Sequence, residues 1–348
     1  MKRYLSIAFL MAMVALSSCN HKDLCYDHRD HAHRYHINII ADYRYDWEEQ
    51  CYEDGIDWEN NWPDGYMPYD ELRPTKPGGL RVVNYNVNGD YNRHNISADG
   101  GVVTLYEGEN DLLFYNNDTE YIIFSRSGND ASTRATTRTR TRADYKPSRF
   151  ANEADTITVS PPDMLFANYY ENYVPEKVVD PVDIEVELQP LVFTYKCRFV
   201  FGDESVPDGN LRYVALAKAD LSGMAASVLL NTGETSENAV TILSDDAEIT
   251  DWGIRSCIKS FGVPSFPHPN YPTRTDAKHA LVLNILLKNG NYVTFEFDVT
   301  DQVQKQPHGG VITVSGIVID ENDVTPGSGA FDVEVDDWGP YEDIDLML

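Results

Sequence analysis

The stretch Leu191-Val-Phe-Thr-Tyr-Lys-Cys-Arg-Phe-Val-Phe201 decides the fold class of this chain. Apolar side chains occupy every second position from Leu191 to Phe201, and Thr194, Lys196 and Arg198 lie between them. Successive side chains of a β-strand point to opposite faces of the sheet, so this period of two predicts one long strand with one buried face.

Similar runs occur on both sides of this stretch, and helical periodicity is nearly absent. Turn signals such as Lys288-Asn-Gly-Asn291 separate neighbouring runs. The predicted fold class is therefore all-β, with two immunoglobulin-like β-sandwiches in tandem. One helix is expected from Pro161 to about Tyr170, and the Pro-punctuated link at 174–181 is the expected domain boundary. The predicted strands cover 35–40, 80–87, 102–106, 112–115, 121–125, 156–159, 183–188, 191–201, 212–217, 281–287, 292–299, 311–319 and 331–335.

The amino terminus predicts export and lipidation. Lys2 and Arg3 precede an apolar run that is too short to span a bilayer, which is typical of a removable signal peptide over residues 1–18. The run ends in Leu16-Ser-Ser-Cys19, which resembles a bacterial lipobox. That resemblance implies cleavage before Cys19 and attachment of several acyl chains, palmitate among them, to this residue. An ordinary secretory signal with a chance cysteine is the alternative.

After Cys19, the domain organisation follows from composition. Residues 19–34 are polar and form the expected tether. An N-terminal domain over 35–180 and a C-terminal domain over 181–348 follow, and each is long enough to bury a core.

Net charge excludes one class of partner. The chain has 56 acidic and 28 basic residues, which give a formal charge of -28. Phosphate backbones are bound by Lys and Arg, so no nucleic-acid partner is expected. The sequence has no serine elbow, no Gly-rich phosphate loop and no zinc-protease helix motif. We therefore expect neither an enzyme nor a cofactor.

Four cysteines remain once Cys19 is assigned to lipid. They are Cys25, Cys51, Cys197 and Cys257, an even number in an oxidising compartment. Of the three pairings, the domain division favours Cys25 with Cys51 and Cys197 with Cys257. A buried free thiol is the alternative for Cys197, since it lies on an apolar strand face.

The segment 131–149 interrupts the strand pattern. It is basic, of low complexity and almost without large aliphatic side chains, which predicts an exposed, mobile loop. Such loops are cut by proteases. The expected sensitive sites are Arg134, Arg138, Arg140 and Arg142.

Three other features are candidate binding or modification sites. The acidic, aromatic stretch 42–71 could bind a glycan or calcium, or could simply pack onto the first sandwich. Asp155-Thr156-Ile157 resembles a bacterial O-glycosylation acceptor with Thr156 as the modified residue. The third feature is rich in metal-ligand residue types but lacks the spacing of a zinc site, so no metal is assigned. The residues of the glycan candidate are Trp58, Trp62 and Tyr66, and those of the metal candidate are His21, Cys25, Asp27, His28, His31, His33 and His36.

Three segments carry a family resemblance. Leu188 to Gly233 includes Leu221-Ser-Gly-Met-Ala225, and the mature start reads Cys19-Asn-His-Lys-Asp-Leu-Cys-Tyr-Asp-His28. Together with Val333-Glu-Val-Asp-Asp-Trp338, these resemble Bacteroidetes fimbrillin-like lipoproteins, specifically the domain of unknown function 5119 group. The resemblance implies transthyretin-like sandwiches on a lipid-anchored outer-membrane protein, surface exposure being one option.

The same resemblance implies a function. In polymerising members, a protease cuts after an arginine in an early loop and frees the first strand, and a strand of the next subunit fills the groove. The expected function is adhesion or pilus assembly, with pilus-like subunits or a host ligand as partners. A glycan-binding lipoprotein of a polysaccharide-uptake system is the alternative.

Overall fold

The computed structural model describes residues 34–46, 73–126, 132–152, 157–266 and 278–324, and these residues form an all-β structure, as predicted. Two short helices, α1 (Thr300–Gln304) and α2 (Glu321–Val324), follow the main run of strands. No helix in these ranges is long and apolar enough to cross a membrane. In chain order, the strands of the first half are β1 (His36–Tyr43), β2 (Gly79–Asn86), β3 (Tyr91–Ser97), β4 (Gly100–Thr104), β5 (Asn110–Asn116), β6 (Ile122–Arg126), β7 (Thr133–Thr137), β8 (Thr158–Val159), β9 (Phe166–Tyr173) and β10 (Val182–Pro190). Those of the second half are β11 (Phe193–Phe201), β12 (Val214–Ala225), β13 (Ser227–Leu229), β14 (Ala239–Ser244), β15 (Ala247–Ile249), β16 (Gly253–Ser260), β17 (Ala280–Leu287), β18 (Tyr292–Asp298) and β19 (Gly310–Ile317).

Seven strands of the first half close into a barrel in the order β1-β10-β9-β5-β2-β3-β4. Its interior is filled by large side chains that alternate along the strands, among them Leu80, Phe114, Phe166 and Leu188. Burying one such side chain contributes about 1.5–3 kcal/mol, which makes this interior the main source of stability for the barrel.

The second half forms a sandwich of two sheets, to which the first half adds the short edge strand β8. One sheet has the order β15-β16-β11-β19 and the other has the order β18-β17-β12-β14-β8. Tyr195, Phe199, Leu221, Leu283 and Ile312 belong to the core between them.

A third, three-stranded sheet links the two halves. Its order is β13-β7-β6, so the first half supplies two strands and the second half supplies one. Ala135 of β7 and Val228 of β13 belong to the same buried cluster as Val83 and Leu113 of the barrel. The second half is thereby fixed against the outer side of the barrel.

Two expectations about the middle of the chain were wrong. The link at 174–181 does not separate the sheets, because β10 lies after it and pairs with β1 inside the barrel. The sheet changes only after Pro190. The helix expected from Pro161 is absent as well, because Phe166 begins β9, which pairs with β5 through residues such as Ala167 and Tyr169.

The stretch that decided the fold class forms a strand, β11, but both of its faces are covered. The predicted core face is buried from Phe193 to Phe201. Thr194 and Lys196 on the other face are also buried, so the one-sided strand was a wrong inference. Pairing of β11 with both β16 and β19 places it in the interior of its sheet.

Candidate functional site

The first strand closes the barrel from the amino-terminal side. β1 pairs in parallel with β10, from Ile37 opposite Val182 to Tyr43 opposite Leu188. On its other edge it pairs antiparallel with β4, from His36 opposite Thr104 to Ile40 opposite Gly100. β1 thus lies between two strands that are not its neighbours in sequence.

The side chains of β1 pack between those of the neighbouring strands. Ile37 and Ile39 are buried in the barrel core. The Tyr43 hydroxyl donates to the Ala98 carbonyl at 2.8 Å, and its ring meets Phe166 edge-on at 5.1 Å. At the rim, Asn38 donates to Asp183 at 2.8 Å. Alternate positions of β1 therefore face the barrel core and the outside of the barrel.

One glycine lets β4 approach β1 closely. Gly100 has a φ of +117°, and a Cβ added there would lie 1.9 Å from the carbonyl oxygen of Ile39. The close pairing of β4 with β1 thus requires glycine at this position.

An arginine directly follows the first strand, and the sequence reasoning missed it. The Arg44 amide donates to the Leu188 carbonyl at 3.0 Å, and its guanidinium donates to the Gln189 side chain at 3.4 Å. The alternation Ile37, Ile39, Ala41, Tyr43 gives the end of the strand and could have drawn attention to Arg44. The protease-sensitive arginines were instead assigned to the later basic segment.

That later segment is not a mobile loop. Its first part is β7, which pairs with β6 on one side and with β13 on the other. Beyond β7, the Arg138 amide donates to the Tyr121 carbonyl and the Arg140 amide donates to the Thr158 carbonyl, both at 2.9 Å. Composition failed as a guide because threonine is a good strand former, and partners from both halves satisfy the backbone.

Residues 138–152, which we call the covering segment, lie over the outer face of the second sandwich. Both terminal nitrogens of the Arg142 guanidinium donate to the Asp220 carboxylate of β12, and one of them lies 2.9 Å from Oδ1. Tyr145 donates to Thr241 at 3.3 Å, and Ser148 donates to Glu296 at 3.1 Å. Three strands of the five-stranded sheet therefore hold the segment in place.

The Arg142–Asp220 pair is deeply buried. The two side chains retain 4% and 0% of their exposure, and Asn284 donates a further hydrogen bond to Asp220 at 3.0 Å. Burial raises the pKa of Asp220 to about 6, although the nearby Arg142 guanidinium acts in the opposite direction. Arg140 is also engaged, through an ion pair with Asp245. Arg134 donates to Ser227 at 2.7 Å.

The expected disulfide between Cys197 and Cys257 is not formed. Both residues are free thiols, because Cys197 lies opposite Ser256 while Cys257 lies opposite Lys196, which puts the two sulfur atoms on opposite faces of the sheet. Cys197 points into the core, where burial raises the pKa of its thiol. Its state is thus the buried free thiol that was left open as the alternative. The Lys196 ammonium lies 2.7 Å from the Cys257 sulfur.

A cleft of about 470 Å³ lies where the halves meet, lined by residues that include Tyr121, Arg140 and Lys259. Two of its acids, Asp163 and Asp245, already bind groups of the protein itself. Asp163 accepts the backbone N–H groups of Glu120 and Tyr121 at 2.8 and 2.6 Å. Asp245 is ion-paired with Arg140 and Lys218. In the described part of the chain, no group of three His, Cys, Asp or Glu side chains could hold a metal ion.

Many of the residues singled out in the sequence lie outside the described ranges, namely Cys19, His21, Cys25, Asp27, His28, His31, His33, Cys51, Trp58, Trp62, Tyr66, Thr156 and the predicted strand at 331–335. His36 is described and is buried at the start of β1, where its Nε2 lies 3.1 Å from the Val179 carbonyl oxygen.

Comparison with known proteins gives a family and a fold. A family model described as Domain of unknown function (DUF5119) matches residues 69–245, just over half of the chain. No curated protein matches the sequence.

Among solved structures, a "putative adhesin" from Bacteroides ovatus ATCC 8483 is similar, with a TM-score of 0.52 and 17% identity over 85% of this chain and 93% of that one. A second structure from Bacteroides ovatus with the same description has a TM-score of 0.46 and 8% identity over 83% and 89%. The fimbrial anchor protein Mfa2 from Porphyromonas gingivalis has a TM-score of 0.39 and 10% identity over 80% and 90%. At 17% identity, the first likeness supports a shared fold and nothing finer.

Proposed function

Since this chain belongs to the family described as Domain of unknown function (DUF5119), we propose that it is a non-enzymatic, lipid-anchored protein of the outer membrane that acts in adhesion or in the assembly of a pilus-like fibre. Adhesion is the description carried by the Bacteroides ovatus protein of similar fold. The anchor is the lipid on Cys19.

The insertion of β1 between β10 and β4 is the observation that carries the assembly role. A strand from a second subunit could satisfy the same backbone groups and place its own apolar side chains in the positions of Ile37 and Ile39. Cleavage after Arg44 would separate β1 from the rest of the chain and make the exchange irreversible. A chain that keeps β1 would instead end a fibre or hold it at the membrane.

Strand exchange is tested by a controlled cut. A recognition sequence for a site-specific protease is placed within residues 47–72 of the full chain, and the cut protein is incubated with a labelled peptide of residues 34–46. We expect the peptide to replace β1 slowly, since each buried isoleucine contributes about 1.5–3 kcal/mol. Native mass spectrometry measures its incorporation.

The matched control is the same peptide with Ile37→Asp and Ile39→Asp, which keeps the backbone but cannot fill the buried positions. Equal incorporation of both peptides, or of neither under conditions that loosen the cut strand, would contradict the assembly role.

The anchor is tested in cells. Cys19→Ala should abolish incorporation of labelled fatty acid and leave precursor or soluble protein, because the thiol carries the thioether. Labelled fatty acid on the Cys19→Ala protein would overturn the lipid anchor.

The polysaccharide-uptake alternative makes a different prediction. Plant or mucin glycans would bind in that case, and substitution of Trp58 or Trp62 would abolish the binding.

A further inference from the structure

The outer surface of the barrel carries a row of side chains with a composition unlike the rest of this acidic protein. On β3, Tyr91, Arg93 and Asn95 share one face, because the pleat alternates. They lie directly opposite Tyr85, Val83 and Arg81 of β2. All three members of the row are exposed, Tyr91 to 41% of its surface.

Two guanidinium groups approach one tyrosine ring in this row. The Arg126 guanidinium carbon lies 3.9 Å from the centre of the Tyr91 ring, and that of Arg93 lies 5.3 Å from the same centre. Arg126 also lies 5.3 Å from the ring of Tyr85. Each such contact is worth about 0.5–1 kcal/mol at an exposed site, and together they hold two like charges close to each other.

In the described ranges, Arg81 and Arg93 make no salt bridge, whereas six arginines elsewhere do, namely Arg73, Arg140, Arg142, Arg149, Arg212 and Arg255. The nearest acids in sequence and in register are engaged with other groups. Asp90 accepts from the Asn86 amide at 3.1 Å, and Asp111 accepts from the Asn172 backbone at 3.0 Å.

Asn95 adds an amide hydrogen-bond donor to the guanidinium donors of this row. Its Oδ1 accepts from Arg81 at 2.9 Å and from Asn117 at 3.4 Å. These two bonds fix the orientation of the amide, so its NH₂ group is turned away from Arg81. Among the described residues this NH₂ group has no hydrogen-bond acceptor.

This row has the parts that a sugar acid requires. A guanidinium binds a carboxylate through two parallel hydrogen bonds, an amide NH₂ donates to a hydroxyl or carboxylate oxygen, and an exposed aromatic ring packs against the apolar face of a pyranose. We propose that Tyr91, Arg93 and Asn95, with Arg126 behind them, form a binding site for a carboxylate-bearing saccharide.

This inference rests on the adhesive role proposed above and supplies its ligand class. A single exposed site of this kind binds weakly, and many lipid-anchored copies on one cell would raise the effective affinity through multivalency. The site lies on β3 and is separate in sequence from Trp58, Trp62 and Tyr66.

The test uses the purified full-length mature chain, so it depends on neither strand exchange nor lipidation. Calorimetric titration compares sialyllactose, a glucuronic-acid oligosaccharide and neutral lactose. We expect binding of at least one of the two acidic sugars, which also identifies the source of the carboxylate, and at least tenfold weaker binding of lactose.

Variants then locate the site. Arg93→Gln and Tyr91→Ala should each lower the affinity about tenfold or more. The matched control is Arg212→Gln, because Arg212 also lies over a tyrosine, at 4.6 Å from the Tyr213 ring, but is paired with Asp208. This control should bind as the wild type does.

The proposal would be overturned if neither acidic sugar bound, or if lactose bound as tightly as they do. It would also be overturned if Arg93→Gln left the affinity unchanged, or if binding were lost only in a Trp58→Ala, Trp62→Ala chain. The proposed site would also be overturned if inorganic phosphate or an acidic peptide competed for it more strongly than the acidic sugars do. Failure of strand exchange would leave all these measurements unchanged, so the two proposals can fail separately.

Discussion

Two groups of arginines in this molecule have the same chemistry and opposite surroundings. Arg142 is buried on the outer face of the second sandwich and is neutralised by Asp220. Arg93 is exposed on the barrel and lies over a tyrosine ring without a carboxylate in the described structure. The difference shows that burial and partner, rather than the density of arginines in the sequence, decide whether an arginine holds the fold or faces a ligand.

The largest change in stability is expected when the buried Arg142–Asp220 pair is broken. Arg142→Ala leaves the Asp220 carboxylate without its cation in a site closed to water, so the free energy of unfolding should fall by about 3–5 kcal/mol. The control is Arg138→Ala in the same segment, whose exposed side chain should change stability by no more than about 0.5 kcal/mol. Chemical denaturation of both variants measures the two values.

A double variant distinguishes a lost attraction from a stranded charge. Arg142→Met with Asp220→Leu removes both charges and keeps apolar volume, so it should recover most of the loss caused by Arg142→Ala. If the double variant is as unstable as Arg142→Ala, the ion pair itself stabilises the segment and the comparison must be revised.

The contrast between the two groups of arginines could be predicted only in part from the sequence. Alternation of apolar side chains identified β1, β2, β5, β11 and β17, because a strand with a core face leaves that signature. β3 was missed, since Tyr91-Asn-Arg-His-Asn-Ile-Ser97 points mainly to solvent and has no apolar face. Its polar composition is also the reason why it carries the proposed site.

The covering segment was misjudged for a different reason. Thr-Arg repeats resemble a disordered linker when they are considered alone, and their partners lie about 80 to 100 positions away in the sequence. No local pattern reveals that Asp220 and Asp245 will meet Arg142 and Arg140. The same holds for the cysteines, whose even number suggested a bridge that the register of β11 and β16 forbids.

A change of pH should distinguish the buried Arg142 site from the exposed Arg93 site. Only the buried site includes a carboxyl group whose pKa is shifted by folding. Burial raises the pKa of Asp220 from its ordinary 3.8 to about 6. The folded protein therefore holds this proton more tightly than the unfolded chain does, so this group stabilises the fold most below pH 4 and loses that contribution as pH rises through 6. Arg142→Ala removes the cation that lowers this pKa, so the loss should extend to higher pH.

Denaturation of both proteins at several pH values between 4 and 8 measures this dependence. The informative quantity is the difference between the stabilities of the wild type and Arg142→Ala, since of the three acids beside Arg142 only Asp220 is fully buried. A difference that stays constant across this range would show that Asp220 does not titrate there.

Proteolysis should show a smaller effect of the same pair. Because β7 pairs with β6 and β13, and the Arg138 and Arg140 amides donate to the Tyr121 and Thr158 carbonyls, this backbone is held in place. We therefore expect an arginine-specific protease to spare the bonds after Arg134, Arg138, Arg140 and Arg142 in the folded wild type. Loss of the Arg142 anchor should make those bonds sensitive. Mass spectrometry of the early fragments identifies the sites, and early cleavage of the folded wild type after Arg138 would mean that the segment opens readily.

The smallest expected change in stability is at the exposed group. Arg93→Gln removes a contact over Tyr91 but leaves no buried charge, and the glutamine side chain stays in water, so the free energy of unfolding should change by no more than about 0.5 kcal/mol. The same substitution should cost a carboxylate-bearing sugar about tenfold or more in affinity. Arg142→Ala should show the reverse pattern at temperatures where it remains folded, with a large loss of stability and unchanged sugar binding. A loss of stability in Arg93→Gln comparable with that in Arg142→Ala would mean that the exposed arginine holds the barrel together, and the distinction between the two groups would no longer stand.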